Sequence, residues 1–176
     1  DIFGRDGFRF LTAKGTYNGN NIFFAIFINH DQDDIIITED VIEVNPMESG
    51  LVTAKKIEDN IDSSGFISVY GIYFDVGKWN IKENSRPALK EIASYLKNNQ
   101  GNNYYIVGHT DNTGEFSANM TLSQNRAKAV RNELISEYGV DEKQIKAYGV
   151  SSLAPVTANS TDAGRARNRR VELVEQ

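Results

Sequence analysis

The sequence predicts an α/β (α+β) protein: a two-layer sandwich of order β-α-β-α-β-β over residues 66–176, preceded by a small β-rich segment over residues 1–65. Three observations carry that expectation. From Phe66 onward, short runs rich in aromatic and β-branched residues alternate with runs of helical apolar spacing. Strand–helix–strand units of this kind favour right-handed crossovers and a sheet with its helices on one face. The earlier residues hold strand-sized apolar runs punctuated by glycine and asparagine, and Ser63-Ser64-Gly65 is a polar break between the two regimes.

In the N-terminal segment, Gly15 to Asn21 is turn-rich. Ile22 to Ile28 is a continuous apolar run that fits a strand buried on both faces, although periodicity alone does not settle it. After the turn-like His30 to Asp34, Ile35 to Thr38 reads as a second strand. Val41 to Val44 is either a third or its continuation. Asn45-Pro46 ends it, because proline lacks the ladder donor. Leu51, Ala54, Ile57 and Ile61 recur at helical spacing and predict a short helix from Leu51 to Ile61.

Phe66 to Phe74 then reads as a strand. Asn84 or Ser85 caps a helix with Pro87 in its first turn, where a missing N–H costs little. Leu89, Ile92, Ala93 and Leu96 form its apolar stripe. Beyond the polar turn at Asn98 to Asn103, Tyr104 to Val107 is a strand that runs into the loop Gly108 to Gly114. A second helix is predicted from Ser123, its N-cap, to Tyr138, with Ala127, Val130, Leu134 and Tyr138 on one face. Gly139 suits a left-handed C-terminal cap. Ile145 to Val150 is a strand, Pro155 to Gly164 a loop, and Arg169 to Glu175 the last strand.

Composition excludes several classes. The 176 residues leave room for one standard domain and an extension, enough to bury a core unaided. With no cysteine there are no disulfides and no thiolate metal sites. A net charge of −5 argues against a general binder of nucleic acid or anionic membranes. No apolar run approaches the roughly 20 residues of a membrane helix. No signal peptide is visible at Asp1, so the chain reads as a mature or trimmed form.

The chemistry concentrates between Gly108 and Arg126. Gly108-His109-Thr110-Asp111-Asn112-Thr113-Gly114 leaves the end of a strand and puts a carboxylate, Asp111, at its mouth. Asn119 follows, and Arg126 is expected in the first turn of the next helix. The planar fork of arginine suits a carboxylate, and a helix N-terminus adds free N–H groups for an anion. Asp111 supplies the opposite charge for an ammonium. Such a pair fits a zwitterionic amino-acid head, but the spacing leaves a structural Asp111–Arg126 salt bridge equally open.

These stretches resemble the OmpA-like C-terminal domain family over roughly Ile72 to Glu175. The resemblance runs through Tyr73-Phe74-Asp75, Gly108-His109-Thr110-Asp111, Asn119, Leu122-Ser123 with Arg126-Ala127, Tyr148-Gly149, Pro155, and Gly164-Arg165 with Asn168-Arg169-Arg170-Val171-Glu172. Each piece is weak alone, whereas their joint order is specific. The resemblance implies non-covalent binding to peptidoglycan in the periplasm, at the outer membrane or cell wall, through the diaminopimelate residue of the stem peptide. Asp111 would hold the ammonium and Arg126, paired with it, the carboxylate; Thr113, Asn119 and Arg169 would add polar contacts. Where related domains often carry asparagine, two residues after Phe-Asp, this chain has Gly77, which puts one hydrogen-bond donor in doubt.

Other readings are weaker. His109 invites a catalytic role, yet no nucleophile elbow accompanies it, and a metal at His109 and Asp111 would need further ligands. A peptidoglycan-acting hydrolase is therefore the lesser alternative; the expectation is a binding protein, not an enzyme, with no cofactor and no metal. Arg165, Arg167, Arg169 and Arg170 suggest nucleic acid only superficially, since neighbours on a strand point to opposite faces. The N-terminal segment carries no motif, and a further alternative makes it a module for an envelope protein partner.

Overall fold

A computed structural model of the chain describes residues 8–17, 20–31, 34–44 and 52–176. It divides into two compact units, Asp1–Ser49 and Gly50–Gln176.

The first unit is an antiparallel meander of β1 (Phe8–Tyr17), β2 (Asn20–Asp31) and β3 (Asp34–Val44), in that order. β1 was not singled out by the sequence pattern. The two short candidates at Ile35–Thr38 and Val41–Val44 are one strand, because the acidic Glu39 and Asp40 between them stay in register opposite Ile26 and Ala25. Ile26 and Ile28 are half-buried rather than enclosed on both faces, and Ile37, opposite Ile28, is exposed. Asn18-Gly19, Gln32-Asp33, Asn45-Pro46 and Leu51 lie outside the described residues.

The second unit opens with α1 (Ala54–Ser64). Thr53 caps it, its hydroxyl accepting from the Lys56 N–H at 3.2 Å. Ile57 and Ile61 are buried. A helix with one apolar stripe must bury it against another element, and α1 packs on the strand and helix that follow it. The helix grouped with residues 1–65 therefore belongs to the second unit, and the division falls ahead of it rather than after Gly65.

Next come β4 (Phe66–Val69), a 3-10 turn (Glu83–Ser85), α2 (Arg86–Asn98), β5 (Tyr104–Gly108), α3 (Phe116–Ser136), β6 (Ile145–Gly149), α4 (Asp162–Asn168) and β7 (Val171–Glu175). The expected β-α-β-α-β-β succession is present, with α1 ahead of it and α4 inserted before the last strand. The sheet order is β4-β7-β5-β6: β5 and β6 are parallel, and β7 runs antiparallel between β4 and β5. The core lies between this sheet and α1–α3, with Ile57, Leu89, Leu96, Ile106, Leu134 and Leu173 almost wholly buried. Each such side chain contributes about 1.5–3 kcal/mol through burial.

Three elements depart from expectation. β4 stops at Val69 rather than Phe74; the Tyr73 N–H bonds the Ser85 hydroxyl at 2.9 Å, and Phe74 meets only Ile81 in an isolated bridge. Ser85 thus spends its side chain on Tyr73 and does not cap α2. α3 begins at Phe116, so Ser123 is not its cap but a buried residue inside it, whose hydroxyl accepts from the Ser151 N–H at 3.0 Å. α4 replaces the end of the expected loop; Thr161 caps it, accepting from the Gly164 N–H at 3.0 Å.

Candidate functional site

The site forms where β5 ends. Beyond Gly108 the main chain stays pinned on both sides: the His109 N–H donates to Arg170 O and the Thr110 N–H to Ser151 O, each at 3.0 Å. This carries Asp111 to a nearly enclosed position, 8% exposed. Its Oδ1 accepts from the Thr113 N–H at 2.9 Å, closing a tight turn. Asn119, in the first turn of α3, donates to Thr113 O at 2.9 Å and more weakly to Asp111 O at 3.5 Å. Thr113 itself is exposed.

Two glycines set α3 against this end of the sheet. A Cβ on Gly108 would stand 2.3 Å from Ser123 O, and one on Gly149 would stand 2.1 Å from Gln124 N. The helix backbone therefore rests directly on the strand ends, which positions Arg126 a few residues later. Arg126 sits at the middle of α3 rather than in its first turn. The expected help from free N–H groups of the helix terminus does not reach it, because mid-helix N–H groups are already bonded.

Arg126 is 8% exposed. Its Nε donates to Lys78 O at 3.0 Å and its Nη2 to Asp75 O at 3.3 Å, and its guanidinium carbon lies 4.9 Å from the centre of the Phe74 ring. Among the described residues no carboxylate lies within ion-pair distance of it. The Asp111–Arg126 pair, left open by the spacing, is not a contact. Asp111 Oδ2 instead accepts from Arg169 Nη1 at 2.7 Å. The physical reason is reach: Arg169 lies two residues ahead of β7, the neighbour of β5, whereas α3 delivers Arg126 to the Asp75–Lys78 turn.

The electrostatics follow. Burial alone would push the Asp111 carboxyl up, but Arg169 and the Thr113 donors outweigh it and hold the group below the ordinary carboxylate range. Burial, and then the neighbouring Arg169 charge, weaken Arg126's hold on its proton, with Asp111 opposing them. Asp111 thus has one guanidinium in contact, that of Arg169, and Arg126 carries a positive charge with no partner carboxylate among the described residues.

Gly77 has a structural role in this arrangement. Its φ is +67°, in the left-handed region, within the turn closed by the Lys78 N–H and Asp75 O at 3.0 Å. Glycine and asparagine are the residues that adopt this conformation readily. The turn aims the Asp75 and Lys78 carbonyls at Arg126. No side-chain pattern could have revealed these two acceptors, since they are main-chain atoms.

Beneath the site lies a second buried charge cluster. Glu172 Oε1 accepts from Arg170 Nε at 2.8 Å and from Ser68 Oγ at 3.2 Å. His109 Nε2 lies 3.0 Å from Glu172 Oε2 without an aligned hydrogen bond, and His109 Nδ1 has no partner among the described residues. Burial raises the Glu172 carboxyl, but His109 and then Arg170 pull it down to about 2. Arg169 and Arg170 thus serve different carboxylates. Among the described residues no group of three or more acidic or histidine side chains could hold a metal, and no helix is long and apolar enough to cross a membrane.

Fold and site together define a two-layer α/β domain with a largely buried group of charged side chains at the exit of its central strands. The chain belongs to the OmpA family, whose model matches residues 73–169. It is 42% identical over 101 residues to outer membrane porin F of Pseudomonas aeruginosa, covering 57% of this chain and 29% of the porin. Among solved structures, the peptidoglycan-associated lipoprotein of Burkholderia pseudomallei aligns with a TM-score of 0.55 and 35% identity, over 60% of this chain and 88% of that one. The cell wall anchor of the T6SS from Pseudomonas aeruginosa aligns with a TM-score of 0.55 and 26% identity, over 70% and 96%. The chain spans about a third of the length of the curated relatives it matches.

Proposed function

We propose that this domain binds peptidoglycan non-covalently in the periplasm and anchors an envelope protein to the cell wall by holding the free head of a diaminopimelate residue. Two of its structural relatives are a peptidoglycan-associated lipoprotein and a cell wall anchor. The observation that carries the reading is Arg126: a nearly enclosed guanidinium, fixed by two main-chain carbonyls, with no partner carboxylate among the described residues. A buried charge ordinarily has a partner, and a ligand carboxylate would supply one.

The ligand ammonium would go to Asp111. That carboxylate already bonds Arg169, whose side chain is 47% exposed. The exposed guanidinium can swing outward or share the carboxylate with the ligand ammonium. Thr113 and Asn119 serve by shaping the turn that holds Asp111. Charge-assisted hydrogen bonds contribute about 1.5–3 kcal/mol each, and ordering the ligand offsets much of that. Single-site affinity is then modest, and many copies on one polymer provide the anchoring.

Cosedimentation with purified sacculi tests the reading. Asp111→Ala and Arg126→Ala should each abolish pelleting with circular dichroism unchanged. Retention of full pelleting by both variants would reject the site.

A further inference from the structure

The turn that holds Arg126 carries two side chains the diaminopimelate site does not use. Val76 is 99% exposed and Trp79 is 49% exposed, although Trp79 directly follows Lys78, whose carbonyl binds Arg126. The indole makes no hydrogen bond or ring contact among the described residues. A large aromatic surface left in water loses the favourable burial it would gain elsewhere, and apolar residues clustered at a recess rim mark contact surface. The turn through Gly77, whose φ is +67°, places the Arg126 cradle and Trp79 side by side along the chain.

We propose that Trp79 is a sugar-binding residue: its ring stacks on an N-acetylated pyranose of the glycan strand while the diaminopimelate head of the same muropeptide occupies the Arg126–Asp111 recess. This rests on the reading given under Proposed function and names the second half of the ligand. Reach supports it. Two stem residues, besides the diaminopimelate side chain itself, separate the held head from the glycan; two extended residues alone span up to ~7 Å, so the stem is long enough to carry a sugar from the charged groups to the Trp79 ring. Trp79 and Lys78 have neighbouring Cα atoms, ~3.8 Å apart, and the indole extends beyond that. The C–H-rich face of a pyranose matches an aromatic face and needs no charge, in keeping with an indole flanked by the apolar Val76.

The chain has one tryptophan, so its emission reports on this position alone. Three soluble probes are titrated into the whole chain: the diaminopimelate-containing tetrapeptide without sugar, the same peptide carrying the disaccharide, and the disaccharide alone. The sugar-bearing probe should bind about 10-fold tighter than the bare peptide by calorimetry and should shift the tryptophan emission, which the bare peptide leaves unchanged. Trp79→Ala should erase the 10-fold advantage while keeping bare-peptide affinity within about twofold, and Trp79→Tyr should keep most of the advantage. Equal affinities of wild type for the two peptides, or an advantage that survives in Trp79→Ala, would overturn the sugar assignment and leave the peptide site standing. Failure of both peptides to bind would instead bring down the diaminopimelate reading and this inference with it.

Discussion

Arg126 shows how a residue identity can be plain while its physics is hidden. Its type and its place after Asn119 are part of the resemblance that makes it a proposed ligand residue. Its cradle consists of the main-chain carbonyls of Asp75 and Lys78, about fifty residues earlier in the chain. A buried guanidinium without a carboxylate is expensive to keep. Arg126→Met, which preserves the apolar stem over Phe74, should therefore leave the urea midpoint at or above that of wild type, by up to about 1 kcal/mol, while pelleting with sacculi disappears. A large loss of stability would show that the arginine holds the fold rather than a ligand. The bond of Arg169 to Asp111 was not legible in the sequence, because strand order rather than sequence separation brings residues 58 apart together.

At the scale of elements, α3 decides where the site stands. Its expected start at Ser123 came from a good capping residue ahead of a strong apolar stripe. The preceding turn, Phe116 to Leu122, has no such stripe, since it leans over the Asp111 loop and buries little. Helical periodicity measures burial, and burial was absent there. The glycine contacts give a direct test. Gly149→Ala places a Cβ 2.1 Å from the Gln124 main-chain nitrogen, and neither the strand nor the helix can yield cheaply. The variant should lose about 1–3 kcal/mol in denaturant unfolding, as overpacked sites do. Its sacculus binding should fall by more than the unfolded fraction explains, because lifting α3 displaces Arg126. α4 was missed for a related reason: Gly164 argues against a helix, yet a Cβ there would meet Ala158 O at 2.0 Å, so close packing demands the glycine.

For the molecule as a whole, the Glu172 cluster ties stability to pH. Its carboxyl titrates near 2 in the folded domain and has an ordinary value of 4.5. A depressed folded value adds stability above about pH 4.5 and loses it as pH falls toward 2, by on the order of 3 kcal/mol for this shift. Asp111, also held low, acts in the same direction. In acid unfolding followed by circular dichroism, Glu172→Gln should start less stable at neutral pH, with Arg170 left short of its counterion, and should show a shallower decline between pH 4.5 and 2. A decline as steep as wild type would place the acid sensitivity elsewhere.

The chain order alone determined the β-α-β-α-β-β succession and the turn residues that link the elements. These rest on local quantities: side-chain periodicity, capping, and the φ preferences of glycine and proline. Tertiary structure decided the placement of α1 with the second unit, the insertion of β7 between β4 and β5, the pairing of Asp111 with Arg169, and the main-chain cradle of Arg126. Those depend on which surfaces bury one another across distant stretches of chain, and on carbonyl groups that every residue shares, so no residue type announces them.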